Sequence, residues 1–280
     1  MTKLGLATFL MLTIAFVLVP QSAMAQSGDR TMPMRTPDGQ PDVSGIFTFR
    51  TLTPFQRPRQ FEGRENLSAE EAAVFEASER RRQNRDLFDP ETGASGYAPR
   101  SEGGVLSYNE FWYERGIELT ADKRTALVID PPDGRLPPRV QRPPDPEREQ
   151  LTQAEAIARR YDSYENRSTG DRCIMGFNAG PPMRSSAYNN NVMIFQSPGY
   201  VTILNEMVHN ARIIPIGDTA SPPFPQYSGV SRGHWEGETL VIETTQFRGG
   251  SSGLTSPNMH LIERLTRLDS DTVAYEYTVT

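Results

Sequence analysis

The sequence predicts a mainly β protein built as an antiparallel meander. From Val192 onward, stretches of apolar and β-branched residues alternate with short turns, and strands joined by short turns are usually antiparallel neighbours. With 23 Pro and 22 Gly in 280 residues, much of the remaining chain must be turns and loops. We expect the meander to form a lipocalin-like barrel or a curved sheet, with two inserted helices and Pro-rich arms.

The first 25 residues have the layout of a secretory signal peptide. Lys3 precedes an apolar stretch from Leu4 to Val19, and Ala23-Met24-Ala25 forms a small-residue cleavage site. The apolar stretch is shorter than the roughly 20 residues that a membrane-spanning helix needs. We therefore expect cleavage after Ala25, a periplasmic or secreted location and no stable membrane insertion.

The rest of the chain is predicted to be one domain with an extension. Residues 26–45 are rich in Pro and Arg and indicate an extended arm, and residues 46–280 indicate a single β-rich domain that begins with a strand at Ile46–Leu52. The helical insertions are predicted near residues 68–85 and 152–165.

Both helix predictions rest on a capping box at the first turn. Ser68 with Glu71, and Thr152 with Glu155, have the S/T-x-x-E spacing in which each side chain bonds a free backbone N–H of the other residue. Between the helices, Ile117–Thr120 and Thr125–Ile129 flank a polar loop and suggest a hairpin.

Charge and cysteine content exclude some classes of partner and leave one question open. The net charge of −6 gives the protein no electrostatic reason to bind nucleic acid or anionic lipid. Cys173 is the single cysteine, so an internal disulfide is impossible. The open interpretations are a buried small hydrophobe, a free thiol, and half of a bond to a group outside this sequence.

All three histidines lie in the meander, each close to an acid. The residues are His209, His234 and His260, with Glu206, Glu236 and Glu263. Imidazole and carboxylate ligands suit zinc or another divalent metal. No HxH or HExxH spacing supports such a site, and histidines that serve other roles are the alternative interpretation.

Several acids share a strand face with apolar residues. Glu263 alternates with Leu261 and Leu265, and Glu206 and Glu243 have similar neighbours. A buried carboxylate needs a partner, because burying it unpaired costs several kcal/mol. The candidate partners are Arg212, Arg232 and Arg264. Either these groups face a partly polar cavity or the faces point to solvent.

The stretch SRGHWEGETLVIETT predicts a hairpin with a tight bend at Glu236-Gly237-Glu238. His234 and Trp235 precede the bend and must point to opposite faces of the strand. Trp235 suits the core, which leaves His234 for solvent or for the rim of a site.

The run of amides at Tyr188–Asn191 has two interpretations. Consecutive Asn residues favour a turn, and sugar binding by the amides is the second interpretation. The sequence contains no P-loop and no Rossmann glycine pattern.

Several motifs together resemble a widespread set of exported bacterial proteins of unknown function. They are LVIDPPDGRLPP, DRC, YNNNVMIFQSPGYVTILNEMVHNARIIPI, SRGHWEGETLVIETTQF and NMHLIERLTRLDSDTVAYEYTV. The resemblance runs from about Val43 to Thr280 and brings no assigned activity. Members of that set continue through a further segment with another Cys and His, so the resemblance implies that Cys173 pairs with a cysteine in such a segment.

Three functional hypotheses follow. The first is an exported protein that binds a small molecule without a cofactor, in a cavity lined by Glu206, Arg212, His234, Trp235, Glu263 and Arg264. The second is a hydrolase or lyase with a His/Glu acid–base pair, for which the candidates are His234, Glu263 and Glu206, or with a zinc ion on His209, His234 and His260. The third is a structural or interaction module.

Overall fold

The structure, a computed structural model, describes residues 34–87, 110–138, 151–218, 220, 222–249 and 256–280. The predicted signal peptide and the first part of the predicted arm lie outside the described residues. No helix in the described ranges is long and apolar enough to cross a membrane.

In the described ranges, eight strands form two antiparallel sheets of four strands each, and in both sheets the strands follow chain order. Sheet A contains β1 (Gly45–Thr48), β2 (Asn191–Ser197), β3 (Tyr200–Asn205) and β4 (Ala211–Pro215). Sheet B contains β5 (Val230–Glu236), β6 (Thr239–Thr245), β7 (Leu261–Arg267) and β8 (Val273–Val279). The mainly β, antiparallel prediction is confirmed.

The described strands do not form a closed barrel. Along these ranges no ladder joins β8 back to β1, and the pairing between the end of β4 and β5 is limited to the isolated parallel bridge between Ile216 and Gly233. The chain leaves β4 through a Pro-rich connection and returns in the same direction, so the two strands do not pair as a hairpin. Sequence alternation predicted the strands but not this break into two sheets.

The inner faces of the two sheets share one hydrophobic core. Ile194, Ile203 and Ile214 from sheet A lie in the same cluster as Leu240 and Leu265 from sheet B. All five are at most 3% exposed. The core is possible because apolar residues alternate along each strand, which places them on one face.

Two α-helices lie at the predicted insertions. The first, α1, spans Ala69–Gln83 and the second, α2, spans Gln153–Asp162. Both have the predicted capping box, with Ser68 and Thr152 as N-cap residues. Helix α1 packs Phe75 into a small separate core, whereas the described side chains of α2 are exposed.

The predicted hairpin at residues 117–129 is wrong. This stretch contains no strand, and its backbone bonds instead to residues 52–67, as in the bonds from Leu52 N to Glu118 O and from Thr125 N to Glu65 O, both 2.8 Å. The local residue pattern suited a strand, but the backbone hydrogen-bond partners of this stretch come from a distant part of the chain. The first strand is also shorter than predicted, because it ends at Thr48.

Candidate functional site

The predicted site residues of sheet B lie on both of its faces. Register pairs Gly233 with Ile242 and Ile242 with Glu263, so Glu263 belongs to the inner row. His234 pairs with Val241 and Val241 with Arg264, which places His234 and Arg264 on the outer row. The structure therefore separates residues that the sequence grouped in one cavity.

On the inner face, Glu263 forms an ion pair with Arg212 that joins the two sheets. Arg212 lies on β4 of sheet A, and its guanidinium contacts both carboxylate oxygens of Glu263, with Nη2 at 2.9 Å from Oε1 and Nη1 on Oε2. The side chain of Glu263 is fully buried and that of Arg212 is 6% exposed. The fork-on-fork geometry is the arrangement in which a buried pair best offsets its desolvation cost.

We call the pair of Arg212 and Glu263 the core ion pair. The side chain of Tyr275 completes the hydrogen-bond network around it. Its hydroxyl donates to Glu263 Oε1 at 2.7 Å and accepts from the backbone N–H of Met183 at 3.0 Å. Burial, and then the charge of Glu263, raise the pKa of Tyr275 well above its ordinary value. For Arg212, burial lowers the pKa, but the charge of Glu263 and its hydrogen bonds together outweigh burial, and the pKa is raised.

The outer face of sheet B carries a different set, which we call the outer triad: His234, Glu236 and Arg264. Glu236 Oε2 accepts from Arg264 Nη2 at 2.6 Å, and Glu236 Oε1 lies 3.3 Å from His234 Nε2. The three side chains are 39–50% exposed. The bond from Arg264, and then that from His234, lower the pKa of Glu236. Such exposed pairs contribute little to stability.

Trp235 and Glu206 occupy two further environments. Trp235 is partly buried against the shared core, on the face opposite His234. Glu206 is exposed in the turn after β3, where Oε2 accepts from the side chain and the backbone of Asn191 at 3.0 and 3.2 Å. Glu206 therefore fixes the end of sheet A and lies apart from the core ion pair.

The three histidines do not gather into a metal site. His209 is in the turn before β4, His234 is in the outer triad, and the backbone of His260 bonds that of Thr280 at the start of β7. Within the described part of the chain, no group of three or more His, Cys, Asp and Glu side chains is placed to hold a metal ion. The similar sequence intervals reflect the hairpin repeat, and the strand faces then separate the imidazoles.

Sequence reasoning missed two amides at the turn that joins β3 to β4 in sheet A. Asn205 ends β3, and its backbone N–H bonds Asn210 O at 2.9 Å across the turn. The oxygen Oδ1 of each side chain is buried and has no hydrogen-bond partner among the described residues. Because buried polar atoms are nearly always paired, two exceptions in one turn need an explanation. Their alternation with Ile203 and Arg212 on the inner face was the available signal.

Segment 175–183, which we call the cover segment, packs against this end of the sheets. It contacts Met207 so closely that a Cβ at Gly176 would lie 2.0 Å from Met207 Cγ. At its other end, Met183 N bonds Tyr275. Within it, Asn178 is 3% exposed and donates Nδ2 to Tyr188 O and Asn189 O at 3.1 and 3.0 Å.

The Tyr188–Asn191 run has one feature of the predicted turn, a residue with positive φ, and one buried structural amide. Asn189 has φ of 56°, and Asn190 is fully buried, with its amide bonded to backbone atoms of Glu114 and Ser186. The side-chain oxygen of Asn178 is a third buried carboxamide oxygen without a partner in the ranges that the structure describes.

A separate cleft of about 440 Å³ lies between α1 and the segment that follows β1. Its lining includes Thr51, Thr53 and Phe75, and its charged residues Glu79 and Arg82 are bonded to each other at 2.6 Å. It contains no residue that the sequence predicted for a site. The cleft has the volume of a small-molecule site but offers few unused polar groups, so we favour the polar end of the two sheets.

Cys173 is exposed, with φ of 51°. The interpretation as a buried small hydrophobe is therefore wrong, because the chain turns at this residue and directs it to the surface.

Comparisons with protein families, with curated proteins and with solved structures found no match. The resemblance to exported bacterial proteins of unknown function stays a prediction.

Proposed function

We propose that this chain is an exported protein that binds a small neutral molecule at the polar end between its two sheets. The unpartnered carboxamide oxygens of Asn205 and Asn210 support this proposal. Arg212 of the core ion pair lies two residues after Asn210, and the cover segment contacts Met207 in the turn between the two asparagines. In this proposal the sheets act as an open barrel with a partly polar interior.

The chemistry of these atoms defines the class of ligand. Asn205 and Asn210 flank the turn between β3 and β4, where Asn205 N bonds Asn210 O at 2.9 Å, and in this proposal both side chains contact the same ligand. Carboxamide oxygens accept hydrogen bonds, so the ligand must donate them through hydroxyl or N–H groups. The charges of Arg212 and Glu263 already neutralise each other. A polyol, a sugar or a small amide fits these conditions.

Two observations favour binding over the hydrolase or lyase hypothesis. The catalytic candidates His234 and Glu263 lie on opposite faces of sheet B, and Glu206 lies in a turn of sheet A. A general acid and base must reach one substrate within hydrogen-bond distance. The acid–base hypothesis would require these side chains to rearrange across a packed sheet.

A thermal-shift screen of the exported protein tests the proposal. The panel contains monosaccharides, polyols and small amides, with fatty acids as the lipophilic comparison. A ligand that binds only the folded state raises the melting temperature in a saturable way. We expect saturation with at least one hydroxyl- or amide-bearing compound, and a flat response to the whole panel would contradict the proposal.

The Asn205→Leu variant separates a binding role from a purely structural one. Leu has a similar volume and removes a buried unpaired oxygen, so the unliganded variant should be as stable as the wild type or more stable. It should nevertheless lose the ligand-induced shift. The control is Thr278→Leu at an exposed position of β8, which should keep it. A ligand shift that survives Asn205→Leu would argue against this site.

A further inference from the structure

One of the two buried arginines of the described residues has no anionic partner. Arg57 is 8% exposed and Arg212 is 6% exposed. Arg212 is paired with Glu263, whereas the guanidinium of Arg57 bonds only to neutral acceptors. These are Thr125 Oγ1 and Pro132 O, each at 3.0 Å. A buried charge is normally offset by an opposite charge, because its removal from water is costly. The surroundings of Arg57 therefore lack one negative charge.

The guanidinium of Arg57 keeps unused donors that reach the surface. A guanidinium has five N–H donors, and the bonds to Thr125 and Pro132 use one on Nε and one on Nη1. Nη2 has no hydrogen-bond partner, and it is not one of the fully buried atoms that lack a partner in the described ranges. Nη2 therefore contacts solvent and can donate two N–H groups to a ligand.

The turn at residues 131–135 lies against this guanidinium. Gly134 N bonds Pro131 O, and Gly134 O accepts from Arg57 N, both at 2.9 Å. Gly134 has φ of 72°, and a Cβ at this position would lie 3.0 Å from Arg57 Cζ. A larger residue would push the turn away from the guanidinium. The side chain of Arg57 is thus held in place before a ligand arrives, which reduces the entropy cost of binding.

A second guanidinium lies at the surface of the same turn. Arg135 is exposed, and its Nη1 donates to Arg57 O at 3.1 Å. In the part of the chain that the structure describes, no carboxylate forms an ion pair with Arg135. The acids of this stretch, Asp130 and Asp133, are exposed, and Asp133 Oδ1 accepts from the backbone N–H of Arg135 at 2.9 Å. The turn therefore offers two guanidinium groups that have no ion-pair partner among these residues.

We propose that Arg57 and Arg135 form a binding site for an oxyanion, the carboxylate or phosphate group of a small molecule. Guanidinium groups suit both, because their planar N–H donors match the oxygen atoms of these anions. The bound oxyanion supplies the negative charge that Arg57 lacks and accepts from Nη2, while Arg135 contacts it from the surface. The site shares no residue with the polar end between the sheets, so this inference does not rest on the function proposed above.

Thermal unfolding with added oxyanions tests the site. The probes are phosphate and citrate, each from about 0.1 to about 30 mM, with sodium chloride holding the ionic strength constant. A ligand that binds only the folded state raises the melting temperature in a saturable way. We expect at least one probe to do so, whereas chloride alone should not.

Three variants assign the response to the two arginines. Arg57→Gln removes the charge but keeps an N–H donor for Thr125, and it should abolish the shift. Arg135→Gln can still bond Arg57 O, and it should raise the dissociation constant of the probe at least about fivefold. Arg59→Gln removes the same charge from an exposed position two residues away, and as the matched control it should leave the dissociation constant unchanged.

Nitrogen–proton correlation spectra of the wild type locate the probe without any substitution, so the test holds even if Arg57→Gln fails to fold. The probe should shift the signals of Arg57 Nε–H and of the backbone N–H groups of Gly134 and Arg135. Three results would overturn the inference: oxyanions that stabilise no more than chloride does, a response that Arg135→Gln leaves at the wild-type level, or signal shifts confined to other parts of the chain.

Discussion

The two ionic groups of sheet B have similar compositions but opposite physical roles. The core ion pair joins Glu263 on sheet B to Arg212 on sheet A, and it is almost completely shielded from water. The outer triad joins Arg264, Glu236 and His234 within one sheet, and these side chains are about half exposed. Residues one position apart on β7, Glu263 and Arg264, belong to the two groups.

The difference shows that the strand face on which a charged residue lies decides how strongly its stability contribution depends on its ion-pair partner. A buried carboxylate depends on its partner because no water replaces it, whereas an exposed carboxylate exchanges its partner for water at little cost. The binding hypothesis placed Arg212 and Glu263 in one cavity with His234 and Arg264, because the sequence gives the residue types without the register. The following experiments test whether the two groups differ in this way.

Removal of Glu263 should have the largest effect. Glu263→Ala leaves the guanidinium of Arg212 buried and unpaired, and we expect the free energy of unfolding to fall by about 3–5 kcal/mol. Urea denaturation measures the change. The matched variant Glu236→Ala breaks both contacts of the outer triad and should leave the urea midpoint within experimental error. Equal losses in the two variants would contradict the comparison.

An apolar replacement of the whole pair should recover most of that loss. In Arg212→Met with Glu263→Leu no charge remains buried, and such replacements are often neutral or stabilising. We expect the double variant to be clearly more stable than Glu263→Ala in the same urea experiment. A double variant that is less stable than the single one would show that the pair contributes more than its own electrostatics.

Tyr275→Phe should have an intermediate effect that depends on pH. The variant removes the hydroxyl from Glu263 and from Met183 N, and we expect a loss of about 1–3 kcal/mol near neutral pH. The pKa of Tyr275 is raised above its ordinary value of 10.0 by burial, so the folded state holds the phenol proton more tightly than the unfolded chain. Its stabilisation is complete below that ordinary value and is lost as the pH rises through the folded-state pKa.

The difference between wild type and Tyr275→Phe should therefore shrink at alkaline pH. Urea midpoints at about pH 8 and about pH 11 measure it. A difference that is constant or grows over this interval would contradict the burial of the hydroxyl.

The smallest effect is expected from His234. Its imidazole is 48% exposed and lies apart from the other two histidines, so His234→Ala should leave stability unchanged. Added zinc should also leave the melting temperature of the wild type unchanged. A saturable zinc-dependent stabilisation that disappears in His234→Ala would restore the metal hypothesis.

Local signals in the sequence predicted local structure well. Both capping boxes mark the first turns of α1 and α2, because Ser68–Glu71 and Thr152–Glu155 act within one helical turn. Alternation predicted that Trp235 and His234 face opposite sides, and that Glu263 lies among leucines.

Non-local features were beyond the same reasoning. Arg212 was one of three candidate partners, and only the packing of sheet A on sheet B selects it for Glu263. Residues 117–129 have a hairpin pattern, but bond residues 52–67 instead. The burial of Arg57 was missed as well, because the sequence shows residue types but not which parts of the chain cover them.

The most direct test of the proposed site is a high-resolution crystal structure of the protein with the compound that gives the largest thermal shift. We expect that compound to donate hydrogen bonds to Oδ1 of both Asn205 and Asn210, beneath the cover segment and beside the core ion pair. A structure in which both oxygens are bonded only to protein groups or to single waters, with the compound elsewhere, would contradict the account.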